Sequence, residues 1–138
     1  MDQKTIARKT TEECWNTGDF SKLDEYMAPN WKNTDPQGPP GLPPGPAGFK
    51  ALISGYRAAF PDINFKIIDL REEGDSVVAR WEASGTMKGP LMGMPPSGKR
   101  SVVTGMTISR FEGGKVVEHI SNWDTLGMLQ QLGFVPKM

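Results

Sequence analysis

Cysteine and histidine each occur once in the 138 residues, as Cys14 and His119. One cysteine cannot close a disulfide within the chain, which points to a reducing, cytoplasmic setting. A zinc or iron centre needs several His, Cys or carboxylate ligands that converge. These two residues lie far apart in sequence, so no metal is expected. Charge of one sign is not in excess: Lys plus Arg and Asp plus Glu number 16 each. That balance gives no strong field for nucleic acid or an anionic membrane, and neither partner is expected. No apolar run approaches the ~20 residues that a membrane helix requires. The opening MDQKTIARKTTEE has neither an apolar stretch nor a cleavage site, so no signal peptide is read. A phosphate-binding glycine loop is missing too, because the glycines at 38 to 48 alternate with prolines that have no N–H to donate. No nucleophile elbow is present. What remains is a chain of the length expected for one compact domain, 1–138, able to bury roughly two thirds of its extended surface.

The hydrophobic spacing gives the architecture. Residues 3 to 15 read as a helix, with Ile6, Thr10 and Cys14 on one stripe and Gly18 as its stop. A second helix is expected over about 20 to 27, carrying Phe20, Leu23, Tyr26 and Met27, and Pro29 stops it. Residues 34 to 48, TDPQGPPGLPPGPAG, hold six prolines and four glycines and exclude a helix or a central strand. They read as an ordered, proline-stiffened loop of the kind that walls a pocket or acts as a lid. Phe49, Leu52, Ile53, Tyr56, Ala59 and Phe60 then follow helical spacing up to Pro61. Beyond Pro61 the period changes to two, through Ile63 to Ile67, Val77 to Ala83, RSVVTGMTISRF and VVEHISNW, with EEGDS and EGGK as turns. Helices first and four antiparallel-looking strands second define an α+β class, with helices on one face of a curved sheet.

The chemistry available is acid–base. Asp124 stands where the last strand gives way to a helix. Asp is a favoured N-cap, worth ~1 kcal/mol. Thr125 offers an alternative cap, and an Asp ringed by Trp123, Leu126 and Met106 would be desolvated, which raises a carboxyl pKa toward useful values. His119, five residues earlier, falls on the opposite strand face unless a β-bulge intervenes. Arg80 reads either as a pocket cation or as a solvated partner of Glu82. Cys14 with His119 is a conceivable nucleophile pair, but a helix-face cysteine is more often core.

The segments FPDINFKIIDLREEGDSVVARWEASGTMKG, GMPPSGKR, ISRFEGGKVVEHISNWD and LGMLQQLG, in that order, resemble the SnoaL-like polyketide (ester) cyclases of the nuclear-transport-factor-2-like superfamily. The TDP…GPAGFK loop and CWNTGDFSKLDEYMAPNW also match, so the resemblance runs from about residue 6 to 134. It implies a cone-shaped fold whose N-terminal helices pack on a curved antiparallel sheet around one apolar cavity, paired as a homodimer through the sheet. It also implies an aspartate at the end of the last strand as general acid/base, and the matching position is Asp124. That residue would remove a proton alpha to a carbonyl of an apolar, polyketide-like substrate, and the enolate would close a ring by an intramolecular aldol step. No cofactor is needed for such an acidic proton. Trp15, Phe60, Trp81, Met106 and Trp123 would form the apolar wall, with His119 joining Asp124 in catalysis as an auxiliary hydrogen-bond partner and Thr34 and Arg80 as polar contacts. Many family members have a His where this chain has Thr34, and a threonine carries no proton at neutral pH. The competing expectations are a dimeric domain that binds a small molecule without turning it over, and an epoxide hydrolase, for which a second pocket aspartate is not evident.

Overall fold

The computed structural model describes residues 1–137. Helix α1 (Gln3–Lys9) starts at an Asp2 cap and runs on into a wider π-helical segment, Thr10–Trp15. A short helix α2 (Leu23–Tyr26) leads directly into strand β1 (Met27–Thr34). After the proline-rich loop comes α3 (Pro46–Ala59), then β2 (Asn64–Glu73), β3 (Ser76–Thr86), β4 (Arg100–Glu112), β5 (Lys115–Trp123) and α4 (Thr125–Leu132). The five strands form one curved, unclosed sheet in the order β1-β5-β4-β3-β2. The α+β class is as expected. No helix among the described residues is long and apolar enough to cross a membrane.

Two expectations need correction. The helix expected over 20 to 27 is only Leu23–Tyr26, and the next eight residues are a strand. This adds a fifth strand, and the sheet is not wholly antiparallel, because β1 pairs parallel with β5. Pro29 is tolerated because β1 is an edge strand whose register with β5 is interrupted between Met27 and Lys32.

The other elements follow their local chemistry. Proline at the start of α3 lacks an N–H that the first helical turn would leave unpaired anyway. Phe49, Leu52, Ile53 and Ala59 give α3 one buried face. Gly113 and Gly114, both at positive φ, make the tight β4–β5 turn.

Strand parity fixes which side chains face inward. On β3 the buried residues are Val77, Ala79, Trp81 and Ala83, and on β4 Ser101, Val103, Gly105 and Ser109. On β5 the register moves from Val116 to Glu118 while β4 moves only from Phe111 to Arg110, leaving Val117 as a bulge. The bulge changes β5's parity, so that His119, Ser121 and Trp123 share the inner face. Side chains form two apolar clusters, one around Tyr26, Trp31, Phe49, Ile53 and Phe111, the other around Phe60, Trp81, Met87, Val103 and Leu132. Each fully buried aliphatic or aromatic side chain contributes about 1.5–3 kcal/mol over its exposed state. Trp15 and Tyr56 touch both clusters, and the space between them is not filled.

Candidate functional site

That space is a cavity open to solvent at its mouth, about 1030 Å³ with that open space included. Its wall is an unbroken chain of aromatic contacts. Trp123 meets Tyr56 edge-on at 6.3 Å, Tyr56 meets Trp15 at 5.9 Å, Trp15 meets Phe65 at 4.7 Å, and Phe65 meets Trp81 at 4.9 Å. Gly105 makes this wall possible. It lies between Trp81 and Trp123 in the sheet, and a Cβ there would stand 2.5 Å from the Trp81 ring and 2.6 Å from Trp123.

The sheet floor is polar, in rows set by register. Thr107 pairs with Ser121, and their hydroxyls are 2.9 Å apart, while Trp81 Nε1 donates to Thr107 Oγ1 at 2.9 Å. In the adjoining row Ser109 pairs with His119, and His119 with Asn33 of β1. His119 is 7% exposed, and burial pushes its imidazole down to about 4, so it is neutral at physiological pH. Tyr56 has no hydrogen-bond partner among the described residues. Burial first, and then the charge of Asp35, push its hydroxyl up to about 12, so it remains a donor.

Among the described residues Asp35, which follows β1, is the only charged side chain that lines the cavity, and no Lys or Arg shares the lining with it. One carboxylate oxygen accepts from the Gln37 backbone N–H at 2.8 Å, and the other from Trp123 Nε1 at 3.0 Å.

The sequence-expected residues divide by strand parity. Trp15, Phe60, Trp81, Trp123 and His119 line the cavity. Asp124, Thr34, Arg80 and Met106 do not. Asp124 is exposed and caps α4, its Oδ1 accepting from Gly127 N–H at 2.9 Å. It packs so closely there that a Cβ on Gly127 would lie 2.1 Å from Asp124 Oδ2. Asp124 is exposed rather than desolvated, and it borders a second, open depression that shares Asp35 and Trp123 with the cavity lining. The bulge lies before His119 rather than between the two residues, so His119 and Asp124 stay on opposite faces. Thr34 donates to Glu118 Oε2 at 2.5 Å on the outer face, where Lys32 and Arg110 also approach Glu118. Arg80 and Met106 are register partners, both exposed on that outer side, Met106 by 50%. Cys14 does not line the cavity, and burial pushes its thiol up to about 12, so no thiolate forms near neutrality. Among the described residues no group of three or more His, Cys, Asp or Glu is placed to hold a metal ion.

Sequence reasoning missed Asp35, Tyr56 and the Thr107–Ser121 pair as site residues. In the sequence Asp35 falls in the loop 34–48, expected as a pocket wall or lid, but no strand is expected over Met27–Thr34 to place its carboxylate. Its signal was a lone acid at the start of that proline-rich segment, after an unnoticed strand.

An aromatic cavity lined by helices over a polar sheet floor has the make-up of a small-molecule site. The chain belongs to the SnoaL-like polyketide cyclase family, whose model matches residues 5–132, and is by that membership an enzyme of the cyclase class. It is 32% identical over 120 residues to the nogalonic acid methyl ester cyclase of Streptomyces nogalater, covering 86% of this chain and 89% of that one. It is 30% identical over 123 residues to the aklanonic acid methyl ester cyclase of Streptomyces peucetius, covering 88% and 84%. Its fold is similar to that of TsrD from Streptomyces laurentii, with a TM-score of 0.86, 30% identity and coverage of 98% and 99%.

Proposed function

We propose that the cavity closes a ring in a flat, largely apolar polyketide-like ester by an intramolecular aldol step, with Asp35 as the general acid/base. The observation that carries this reading is the position of Asp35 as the single charged side chain, among the described residues, in an aromatic cavity. Its carboxylate removes the proton from a carbon flanked by carbonyls, leaving an enolate. The enolate carbon bonds to a second carbonyl carbon of the same molecule, and that carbonyl oxygen becomes an alkoxide. Protonated Asp35 returns its proton to this oxygen, so substrate and product have equal mass. Such a carbon acid requires only a positioned carboxylate and no cofactor. The O–H of Tyr56 and the ring N–H of His119 are among the donors that line the cavity and could meet the developing oxyanion. The aromatic wall folds the substrate so that carbon meets carbonyl.

The same reading includes a homodimer. The outer sheet face carries exposed or half-exposed Val102, Met106, Ile108 and Ile120, more apolar surface than a solvated face needs. A cytoplasmic location accords with the buried, unpaired Cys14.

The test is incubation of the purified protein with nogalonic acid methyl ester or aklanonic acid methyl ester, followed by mass spectrometry and carbon NMR. The expected product has the substrate's mass and one carbonyl fewer. Binding of both esters without any new product would support the ligand-binding domain instead.

A further inference from the structure

The chain's only histidine faces the cavity, but its protonation pattern is set from behind. Trp31 of β1 is fully buried, at 0% exposure, and is not part of the cavity lining. Its indole Nε1–H donates to His119 Nδ1 at 3.1 Å. An indole N–H donates only and cannot accept, so Nδ1 must present its lone pair. The imidazole hydrogen is therefore on Nε2. The other tautomer would set one N–H against another, and a ring flip would set the Cδ2–H against the indole N–H and leave that buried donor unpaired; both are costly. The ring has little room to move, with Trp31 edge-on at 5.8 Å and Phe49 at 5.2 Å. Nε2 has no partner among the described residues, and it is not sealed either, because the only sealed, unpartnered side-chain polar atom there is Thr125 Oγ1.

We propose that Trp31 is a positioning residue: it holds His119 in the Nε2–H tautomer, so that the cavity has a fixed neutral donor for the substrate oxygen that gains charge. The proposal rests on the cyclase reading for the identity of that oxygen, but the tautomer itself does not. His119 thereby acts as a donor and not as a base, and Asp35 is left as the proton carrier. The arrangement also joins the buried core to the site, since Trp31 packs edge-on against Phe49 of α3 at 5.4 Å.

Because the chain has one histidine, tag-free protein labelled with 15N-histidine and 15N-tryptophan gives a single imidazole to observe. Long-range 1H–15N correlation at pH 7 is expected to show only the Nε2-protonated tautomer. A 15N–15N coupling across the hydrogen bond is expected between Trp31 Nε1 and His119 Nδ1, and this needs no substitution. Addition of 2-naphthol, whose oxygen stands in for an enolate, is expected to move the Nε2–H proton downfield. In Trp31→Phe the coupling disappears and both tautomers are populated. An Nδ1–H tautomer or an imidazolium at pH 7, a missing coupling, or an unchanged tautomer in Trp31→Phe would overturn the positioning role. An Nε2–H signal unmoved by 2-naphthol would overturn the donor role. None of these readings depends on turnover, so failure of the cyclase reaction is a separate result.

Discussion

The indole N–H of Trp123 donates to the Asp35 carboxylate at 3.0 Å, across 88 positions of sequence. Trp123 ends β5 and Asp35 follows β1, so parallel pairing of these two strands is what brings them together. One tryptophan thus contributes its ring face to the cavity wall and its polar edge to the carboxylate proposed as the acid/base. Asp124, one residue further on, is directed to the outer side by strand parity. The inner-facing position nearest it on β5 besides Trp123 is Ser121, which cannot act as a carboxylate base.

Asp124 is a structural residue in this account. Asp124→Ala removes the side-chain cap from α4 and is expected to lower stability by about 1 kcal/mol. Asp124→Asn keeps an oxygen acceptor for Gly127 N–H and should lose only a few tenths of that order. Thermal melts read the stability, and a parallel ester turnover assay is expected to show both variants active.

Gly105→Ala tests the aromatic wall. The added methyl would sit within 2.6 Å of both Trp81 and Trp123, so at least one ring must move. Overpacking of this kind typically costs about 1–3 kcal/mol. Denaturant titration is expected to show that loss, together with weaker ester binding in a fluorescence titration.

His119 gives a defined pH dependence of stability. Its imidazole stays neutral in the folded protein down to about 4, against 6.5 in its ordinary state. The unfolded chain therefore takes up this proton at a higher pH than the folded one. Stability is flat above about pH 6.5 and falls as pH drops toward 4, by about 3 kcal/mol in total for this one group. His119→Gln should remove that component, read as the difference between the wild-type and variant stability profiles from pH 8 to pH 4.

Met106→Lys places a second cation beside its register partner Arg80 on the outer sheet face, where Met106 is 50% exposed. A sheet-mediated homodimer desolvates that position, and a buried unpaired charge is strongly unfavourable. Light scattering after size-exclusion chromatography is expected to show a dimer for the wild type and a folded monomer for the variant.

Much of this molecule was legible in its sequence. The helix from Phe49 to Phe60, the two glycine-marked hairpins and the period-two strands after Pro61 all carry one periodicity at a time. The family resemblance added the cavity, and Trp15, Phe60, Trp81, Trp123 and His119 do line it. The reading failed at β1, where a proline and a poor alternation masked an edge strand that forms only because β5 offers a partner 84 or more residues away. Losing β1 concealed Asp35 as a site residue. The outward face of Met106 follows from its alternation with Val103 and Gly105 on β4. That of Asp124 depends on the bulge at Val117, which reverses the alternation within β5 and which the sequence does not mark.

The most direct test compares Asp35→Asn with Asp124→Asn on the same ester substrate. Asn at 35 keeps an oxygen acceptor for Trp123 Nε1 but cannot take a proton. Loss of the acid/base is expected to lower kcat on the order of a hundredfold or more, with the fold retained by circular dichroism. Asp124→Asn is expected to turn over at close to the wild-type rate. Full activity in Asp35→Asn, or loss confined to Asp124→Asn, would contradict the account.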